Sequence, residues 1–176
     1  MVLIRPAERA DGTAIAALYA PFVEESRASF EEVAPDGEEI ARRIASGAID
    51  YPWLVAEQDG AIVGFCSSTA FRQRSAYRWA VETGVYVAVA MQRNGVARAL
   101  LLRLIEELAQ RGFVTAIASI TLPNEASVGF HESLGYRQVG RIRGAGFKLG
   151  QWADIGYWQR DFAARLVPPP EPRERG

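Results

Sequence analysis

The apolar positions of this chain change period several times, and each change marks an element. Val2-Leu3-Ile4-Arg5 is a short apolar run that reads as a strand. From Ala10-Asp11-Gly12 onward, Ile15, Leu18, Tyr19 and Phe22 recur at three- and four-residue spacing and predict a helix. A second short helix is expected from Glu38 to Ala45. Trp53 to Glu57 and Ala61 to Ala70 read as strands joined by Gln58-Asp59-Gly60, since Asp-Gly between apolar runs signals a tight hairpin. Trp79 to Val87 is a further strand. The strongest helical pattern follows, with Ala97, Leu100, Leu101, Leu104, Ile105 and Leu108 on one face. Arg98, Arg103, Glu106, Glu107 and Gln110 fall on the other, and Arg111-Gly112 supplies a basic end and a C′ glycine. Phe113 to Ile120 reads as a strand and Asn124 to Leu134 as a short helix stopped at Gly135. Arg137 to Arg143 and Trp152 to Gln159 read as two last strands.

Helices and strands are intermingled, with an early hairpin and one strand-helix-strand unit, so the expected class is α/β with a mixed sheet flanked by helices. A chain of 176 residues fits one domain. We place it at residues 1–166, with residues 167–176 as a flexible Pro-rich tail of low apolar content. The formal net charge of −1 gives no basic footprint for nucleic acid. A single cysteine excludes an internal disulfide and fits a cytoplasmic protein. Cys66, inside Ile62-Val63-Gly64-Phe65-Cys66, reads as a small buried residue rather than a nucleophile. One Cys and one His cannot build a zinc cage, so no metal is expected. No signal segment and no apolar run near the ~20 residues of a membrane span are present.

The stretch from Val85 to Arg111 carries the chemistry. A strand leads into Gln92-Arg93-Asn94-Gly95-Val96-Ala97 and then directly into the long helix. A glycine turn that opens its backbone N–H groups onto a helix N-terminus is suited to an anion such as pyrophosphate, and it is equally an ordinary helix entry. It is not a Walker loop, since no Lys-Ser/Thr follows the glycine, nor the three-glycine dinucleotide fingerprint.

Gln-x-x-Gly-x-Ala after Tyr86-Val87 resembles the acetyl-CoA signature of the GCN5-related N-acetyltransferase (GNAT) superfamily. Further strings resemble the phosphinothricin N-acetyltransferase group, which includes methionine sulfoximine and sulfone acetyltransferases. They are Ala28-Ser29-Phe30-Glu31-Glu32, Tyr51 to Glu57, Phe71 to Trp79 and Val81 to Val87. Downstream come Pro123-Asn124 with Ser127, His131-Glu132 with Leu134-Gly135-Tyr136, Gly146-Phe147-Lys148 with Gly150, Trp152 and Asp154, and Gln159-Arg160. The likeness covers the chain up to Phe162. It departs at Gly84, where members often carry Ser or Thr, at Phe71, where some carry Trp, and at Ala97, which replaces a common Gly.

The resemblance implies a GNAT fold and transfer of an acetyl group from acetyl-CoA to the α-amino group of a small amino-acid-like substrate, a reaction tied to antibiotic or herbicide resistance. Direct attack by a neutral amine needs a base, donors for the oxyanion and a partner for the thiolate. Glu82 is the candidate base, directly or through a water. Its strand position, out of phase with Val81, Thr83 and Val85, aims it at the opposite face, where it is otherwise a solvated or ion-paired carboxylate. His131 shares a helix face with Ser127 and Asn124 and, by the resemblance, serves the departing thiolate; a satisfied half-buried histidine is the plainer reading.

A bulge at Gly84–Val85 would free oxyanion donors. Val85, Tyr86 and Val87 would line pantetheine, Val85 and Val87 pairing with it like an added strand. Gln92, Arg93, Asn94, Gly95, Val96, Ala97 and Arg98 would hold the pyrophosphate, with Asn124 and Ser127 nearby; Asn124 also reads as a plain helix cap. Phe30, Phe71, Arg72, Gln73, Arg74, Tyr77, Glu82, Thr83 and Gly84 are the candidate substrate contacts. Arg72 or Arg74 would meet the substrate carboxylate, and both also read as solvated loop charges. Phe30 and Tyr77 would wall the pocket or pack in the core, and Tyr136 and Trp152 read as packing. A protein or peptide acetyltransferase and a non-catalytic acyl-CoA sensor are the competing readings. Family likeness and the aromatic last strand, with Trp152, Ile155, Tyr157 and Trp158, imply a homodimer.

Overall fold

The computed structural model describes residues 1–47 and 50–172. Seven strands and four helices run in the order β1 (Leu3–Pro6), α1 (Gly12–Glu24), α2 (Gly37–Gly47), β2 (Trp53–Gln58), β3 (Ala61–Ala70), β4 (Ala80–Val87), α3 (Val96–Gln110), β5 (Thr115–Leu122), α4 (Glu125–Ser133), β6 (Arg137–Lys148) and β7 (Gln151–Asp161). They form one sheet in the order β1-β2-β3-β4-β5-β7-β6, antiparallel except for the parallel pair β4–β5. Helix α3 makes the crossover that a parallel pair requires.

Local chemistry accounts for the best-defined joints. Asp59 and Gly60 both have positive φ, 52° and 78°, the two left-handed residues that a tight β2–β3 hairpin needs. At the end of α3 the Phe113 N–H donates to the Leu108 carbonyl and the Gly112 N–H to that of Ala109, a Schellman stop on a glycine at φ 90°.

Alternation along the strands divides the molecule into two cores. On one face, Leu54, Ala56, Cys66 and Val81 pack with Leu100, Leu101, Leu104 and Leu108 of α3, and with Tyr136 and Trp158. On the other, Val55 and Phe65 pack with Ile15, Tyr19 and Val23 of α1 and Ile40 and Ile44 of α2. Each fully buried Leu, Ile or Val contributes about 1.5–3 kcal/mol. Cys66 is buried, its thiol donates to the Leu100 carbonyl at 3.6 Å, and burial raises its pKa, so it is an inert core residue.

Several expectations are corrected. Glu107 is not on the solvated side of α3: it is 4% exposed, with Arg103 Nη2 3.3 Å from its Oε1, because the helix is buried over more than its apolar stripe. Strand β6 runs on to Lys148 and turns at Leu149 and Gly150 (φ 51° and 74°) into β7. Register shifts between Gln138 and Gly140, and between Ile142 and Gly146, break its alternation. Trp158 is buried, whereas Trp152 is 70% exposed and meets the Phe147 ring edge-on.

The tail is not free over its described part. The Glu171 carboxylate accepts from Arg78 Nε and Nη2 at 2.6 and 2.5 Å, and the Pro170 carbonyl accepts from the Trp79 indole at 2.7 Å. Residues 173–176 lie outside the described residues. Among the described residues, no helix is long and apolar enough to cross a membrane.

Candidate active site

The sheet is opened at its centre. β4 pairs with β3 along its whole length, from Gly64↔Val87 to Ala70↔Val81. With β5 it pairs only at Ala80↔Thr115, Val81↔Ala116 and Glu82↔Ile117. Beyond Glu82 the two strands part, while β5 stays fully paired with β7 as far as Leu122. The side of Thr83–Val87 that faces β5 is therefore an unpaired strand edge inside the sheet, the kind of edge an extended ligand can complete. The bulge expected at Gly84–Val85 is absent: the β3–β4 register is continuous there. Divergence of β4 from β5 opens the sheet instead.

The turn from Gln92 to Ala97 lies at the end of this opening. After β4, Arg93 has φ 62° and Gly95 φ 78°, and Gly95 is the N-cap of α3 with no side chain accepting from the first turn. The N–H groups of that turn are thus open to an outside acceptor, at the positive end of the helix dipole. Gln92, Arg93, Asn94, Gly95 and Arg98 are exposed around it; Ala97 is half-buried, and Val96 is buried in the α3 core. A Cβ built on Gly95 would meet nothing within 4 Å, so backbone conformation rather than crowding by the protein calls for glycine here.

On the α1–α2 face, Glu82 lines a cavity of about 570 Å³. Its walls include Trp53, Phe65, Ser67, Gly84, Tyr86 and Ser119, under Tyr19, Glu31 and Arg43. A polar cluster roofs it. Arg43 binds Glu31 with both terminal nitrogens at 2.8 and 2.9 Å and Glu39 through Nε at 2.7 Å. Tyr19 donates to Glu31 Oε1 at 3.0 Å and shares a 2.6 Å bond with Ser29 Oγ. The hydrogen-bonded Arg43 holds the Glu31 carboxyl below the usual range, and burial raises the hydroxyls of Tyr19 and Tyr86. At neutral pH the roof is an ionised Glu31–Arg43 pair beside two protonated phenols.

His131 is on the other side of the sheet. It is 5% exposed, packed edge-on against Phe130 and Tyr136, which belong to the α3 side. Its Nδ1 lies 2.8 Å from the Ser127 carbonyl, which assigns the proton to Nδ1, and burial lowers its pKa. Glu82 and His131 therefore do not share one cavity wall; the gap between β4 and β5 is what separates them. Asn124 caps α4, its Oδ1 accepting from the Ser127 N–H at 3.1 Å.

The β3–β4 loop departs further from expectation. Arg72, Gln73, Arg74 and Tyr77 are exposed and none lines the cavity; Phe71 packs on Tyr77, and Arg72 lies over the Phe71 ring at 4.3 Å. Phe30 covers Gly146, where a Cβ would lie 2.3 Å from its ring. The cavity's own arginine is Arg43, which sequence reasoning missed together with Tyr19, Glu31, Trp53, Phe65, Ser67 and Ser119.

A family model for the acetyltransferase (GNAT) domain matches residues 4–156. The chain belongs to the GNAT acetyltransferase family. It is 39% identical over 171 residues to a phosphinothricin N-acetyltransferase of Streptomyces viridochromogenes, covering 97% of this chain and 92% of the relative. It is 33% identical to an L-methionine sulfoximine/L-methionine sulfone acetyltransferase of Salmonella typhimurium, over 94% of this chain and 97% of the relative. A solved phosphinothricin acetyltransferase of Sinorhizobium meliloti, in complex with acetyl-CoA, superimposes with a TM-score of 0.89 at 32% identity, covering 98% of this chain and 93% of that one. The opened β4–β5 pair of this acetyltransferase and its glycine turn at Gly95 thus sit in the fold that the sequence resemblance implied.

Proposed function

We propose that this acetyltransferase moves the acetyl group of acetyl-CoA to the α-amino group of a small amino-acid-like substrate, with phosphinothricin, methionine sulfoximine and methionine sulfone as the first candidates. The observation that carries the reading is the position of Glu82: its carboxylate lines the cavity at the last residue pair before β4 and β5 part. An amine reaching the gap from that cavity meets a proton acceptor there.

The residues present fit acetyl-CoA. The free edge of Val85 and Val87 offers backbone partners to the pantetheine amides, and the open first turn of α3 with Arg93 and Arg98 suits a pyrophosphate. Two buried hydroxyls on the α3 side, Thr83 Oγ1 and Tyr136 Oη, have no hydrogen-bond partner among the described residues. Acetyl-CoA supplies the activated thioester. Glu82 takes the ammonium proton, and the backbone N–H of Val85 on the unpaired edge faces the developing oxyanion. His131, neutral with its proton on Nδ1, offers Nε2 as an acceptor; it gives a proton to the thiolate only after taking one. Arg72 and Arg74, on the loop leaving the cavity rim at Ala70, are the candidates for the substrate carboxylate. The exposed Val139, Ile142, Phe147 and Trp152 of β6–β7 provide the apolar face of a homodimer.

Free-thiol release from acetyl-CoA against a panel of amino acids, their amides and short peptides tests the reading. Turnover with free amino acids is expected. Turnover with peptides alone makes this a protein acetyltransferase, and binding of acetyl-CoA without turnover on any amine makes it a sensor.

A further inference from the structure

Lys148 is the only lysine among the 20 Lys and Arg residues of the chain, and it is buried, at 5% exposure. It ends β6, and its Nζ donates at 2.6 Å to the Ser29 carbonyl, 119 positions away in the chain. Ser29 belongs to the irregular segment 25–36 between α1 and α2. Two more contacts join that segment to the same end of the β6–β7 hairpin. Arg27 Nη1 donates to Gln151 Oε1 at 3.1 Å. The Phe30 ring fills the place of a side chain on Gly146, where a Cβ would lie 2.3 Å from Cε2 and 2.8 Å from Cδ2 and Cζ. The φ of Gly146 is not left-handed, so room for the ring, not conformation, calls for glycine there. A compact ammonium suits the buried carbonyl, where a planar guanidinium would bring five donors to satisfy. Burial lowers the Lys148 pKa, and the charges of Glu31 and Glu32 oppose that shift. From Ser29 the bonds run on into the cavity roof. Ser29 Oγ meets the Tyr19 hydroxyl, Tyr19 donates to Glu31, and Arg43 holds both Glu31 oxygens. The roof thus hangs from α2 on one side and from the end of β6 on the other.

We propose that Lys148 and Gly146 are positioning residues, which latch the segment 25–36 onto the β6–β7 hairpin and so hold the Tyr19–Glu31 roof at a fixed height over Glu82. Neither lines the cavity, whereas Tyr19, Glu31 and Arg43 do. The latch acts through Ser29 and Phe30 on how closely the roof confines an amine beside the base. Acetyl-CoA, along the β4 edge and at the Gly95 turn, is outside its reach. The inference rests on the acetyltransferase reading proposed above.

The experiment measures steady-state kinetics with methionine sulfone for the wild type, Lys148→Met, Gly146→Ala, Phe30→Ala and the Gly146→Ala/Phe30→Ala double variant. Lys148→Met leaves the Ser29 carbonyl without its donor. Gly146→Ala displaces the Phe30 ring and leaves Lys148 in place. Each is expected to raise KM for the amino acid about tenfold, the effect of a small misplacement. The value of kcat should change less than about threefold, and acetyl-CoA affinity, read by calorimetry, less than about twofold. In the Phe30→Ala background Gly146→Ala should add nothing, because the ring it displaces is gone. As the only lysine, Lys148 also reports the latch directly. Reductive methylation, read by mass spectrometry, should modify it at least about tenfold more slowly in the folded wild type than in the urea-unfolded chain, and faster in Gly146→Ala than in the wild type. Should Lys148→Met not fold, Gly146→Ala and its double variant decide. An unchanged KM in Gly146→Ala, an equal rise in KM in the Phe30→Ala background, a parallel loss of acetyl-CoA affinity, or Lys148 modified as fast folded as unfolded overturns the latch. A wild type that binds acetyl-CoA but acetylates no amino acid overturns the reading beneath it.

Discussion

Glu82 lies opposite Ile117, and no residue of β4 beyond it has a partner in β5. The carboxylate is thus fixed at the apex of the opening by a ladder on both sides of its strand. Glu82→Gln keeps the shape and removes the proton acceptor. It should lower kcat/KM by about 10²-fold or more at neutral pH, with acetyl-CoA affinity near that of the wild type. Steady-state kinetics with a calorimetric titration check both parts, and near-normal turnover removes Glu82 from the mechanism.

Gly95 holds φ 78° at the N-cap of α3. Gly95→Val forces a β-branched residue into the left-handed region, at a cost of about 1–3 kcal/mol, and turns the open first-turn N–H groups away from a ligand. Acetyl-CoA affinity should fall about tenfold or more, by 1.4 kcal/mol per decade, while the circular dichroism spectrum is retained. Unchanged affinity would show that the pyrophosphate lies elsewhere.

His131 gives a pH dependence with a definite sign. Its folded-state pKa is depressed below 6.5 by burial, so below that pH the unfolded chain binds the proton more readily than the folded one. The stability it protects is complete above about pH 6.5 and is lost as pH falls toward its folded value. The melting temperature should drop between pH 7 and pH 5, and His131→Gln should flatten that slope, since the chain has no other histidine. A slope equal in both proteins would mean that other groups carry it.

Much of this was legible in the sequence, wherever a short-range rule decides the geometry. Asp59-Gly60 specified its hairpin, Gly112 its helix stop and Asn124 its cap, each through contacts within a few residues. The helix period placed Leu100, Leu104 and Leu108 in the core but misplaced Glu107, because period reports the apolar stripe and not how far neighbours wrap around it. Gly140, Gly144 and Gly146 hid the length of β6 by interrupting its alternation. The cavity roof was illegible for another reason: Arg43 meets Glu31 across twelve positions, and no local pattern marks such a pair. Arg72 and Arg74 were the converse case, prominent in the sequence yet exposed in the structure.

The tail and the β6–β7 face make separate predictions about assembly. Light scattering on the full chain at micromolar concentration should report a dimer, because Ile142, Phe147 and Trp152 leave an apolar face uncovered. Ending the chain at Val167 removes Glu171 and Pro170 from Arg78 and Trp79. The truncated chain should remain dimeric and melt slightly lower than the full chain. A monomeric full-length protein would sink the dimer, and an identical melting curve would show that the tail contacts are absent in solution.

The two-core division of the sheet also sets what changes of length this chain can survive. Consecutive residues of β4 belong to opposite faces, Val81 to the α3 core and Glu82 to the cavity. Inserting or deleting one residue inside β4 would exchange those faces for the rest of the strand, burying a carboxylate among leucines and presenting a valine or threonine to the amine. The neighbouring loop from Phe71 to Trp79 bears no such constraint, as most of its side chains are exposed. Length variation in the loop should therefore leave the fold intact and touch only substrate binding through Arg72 and Arg74, whereas in the strand that follows it should be lethal to activity.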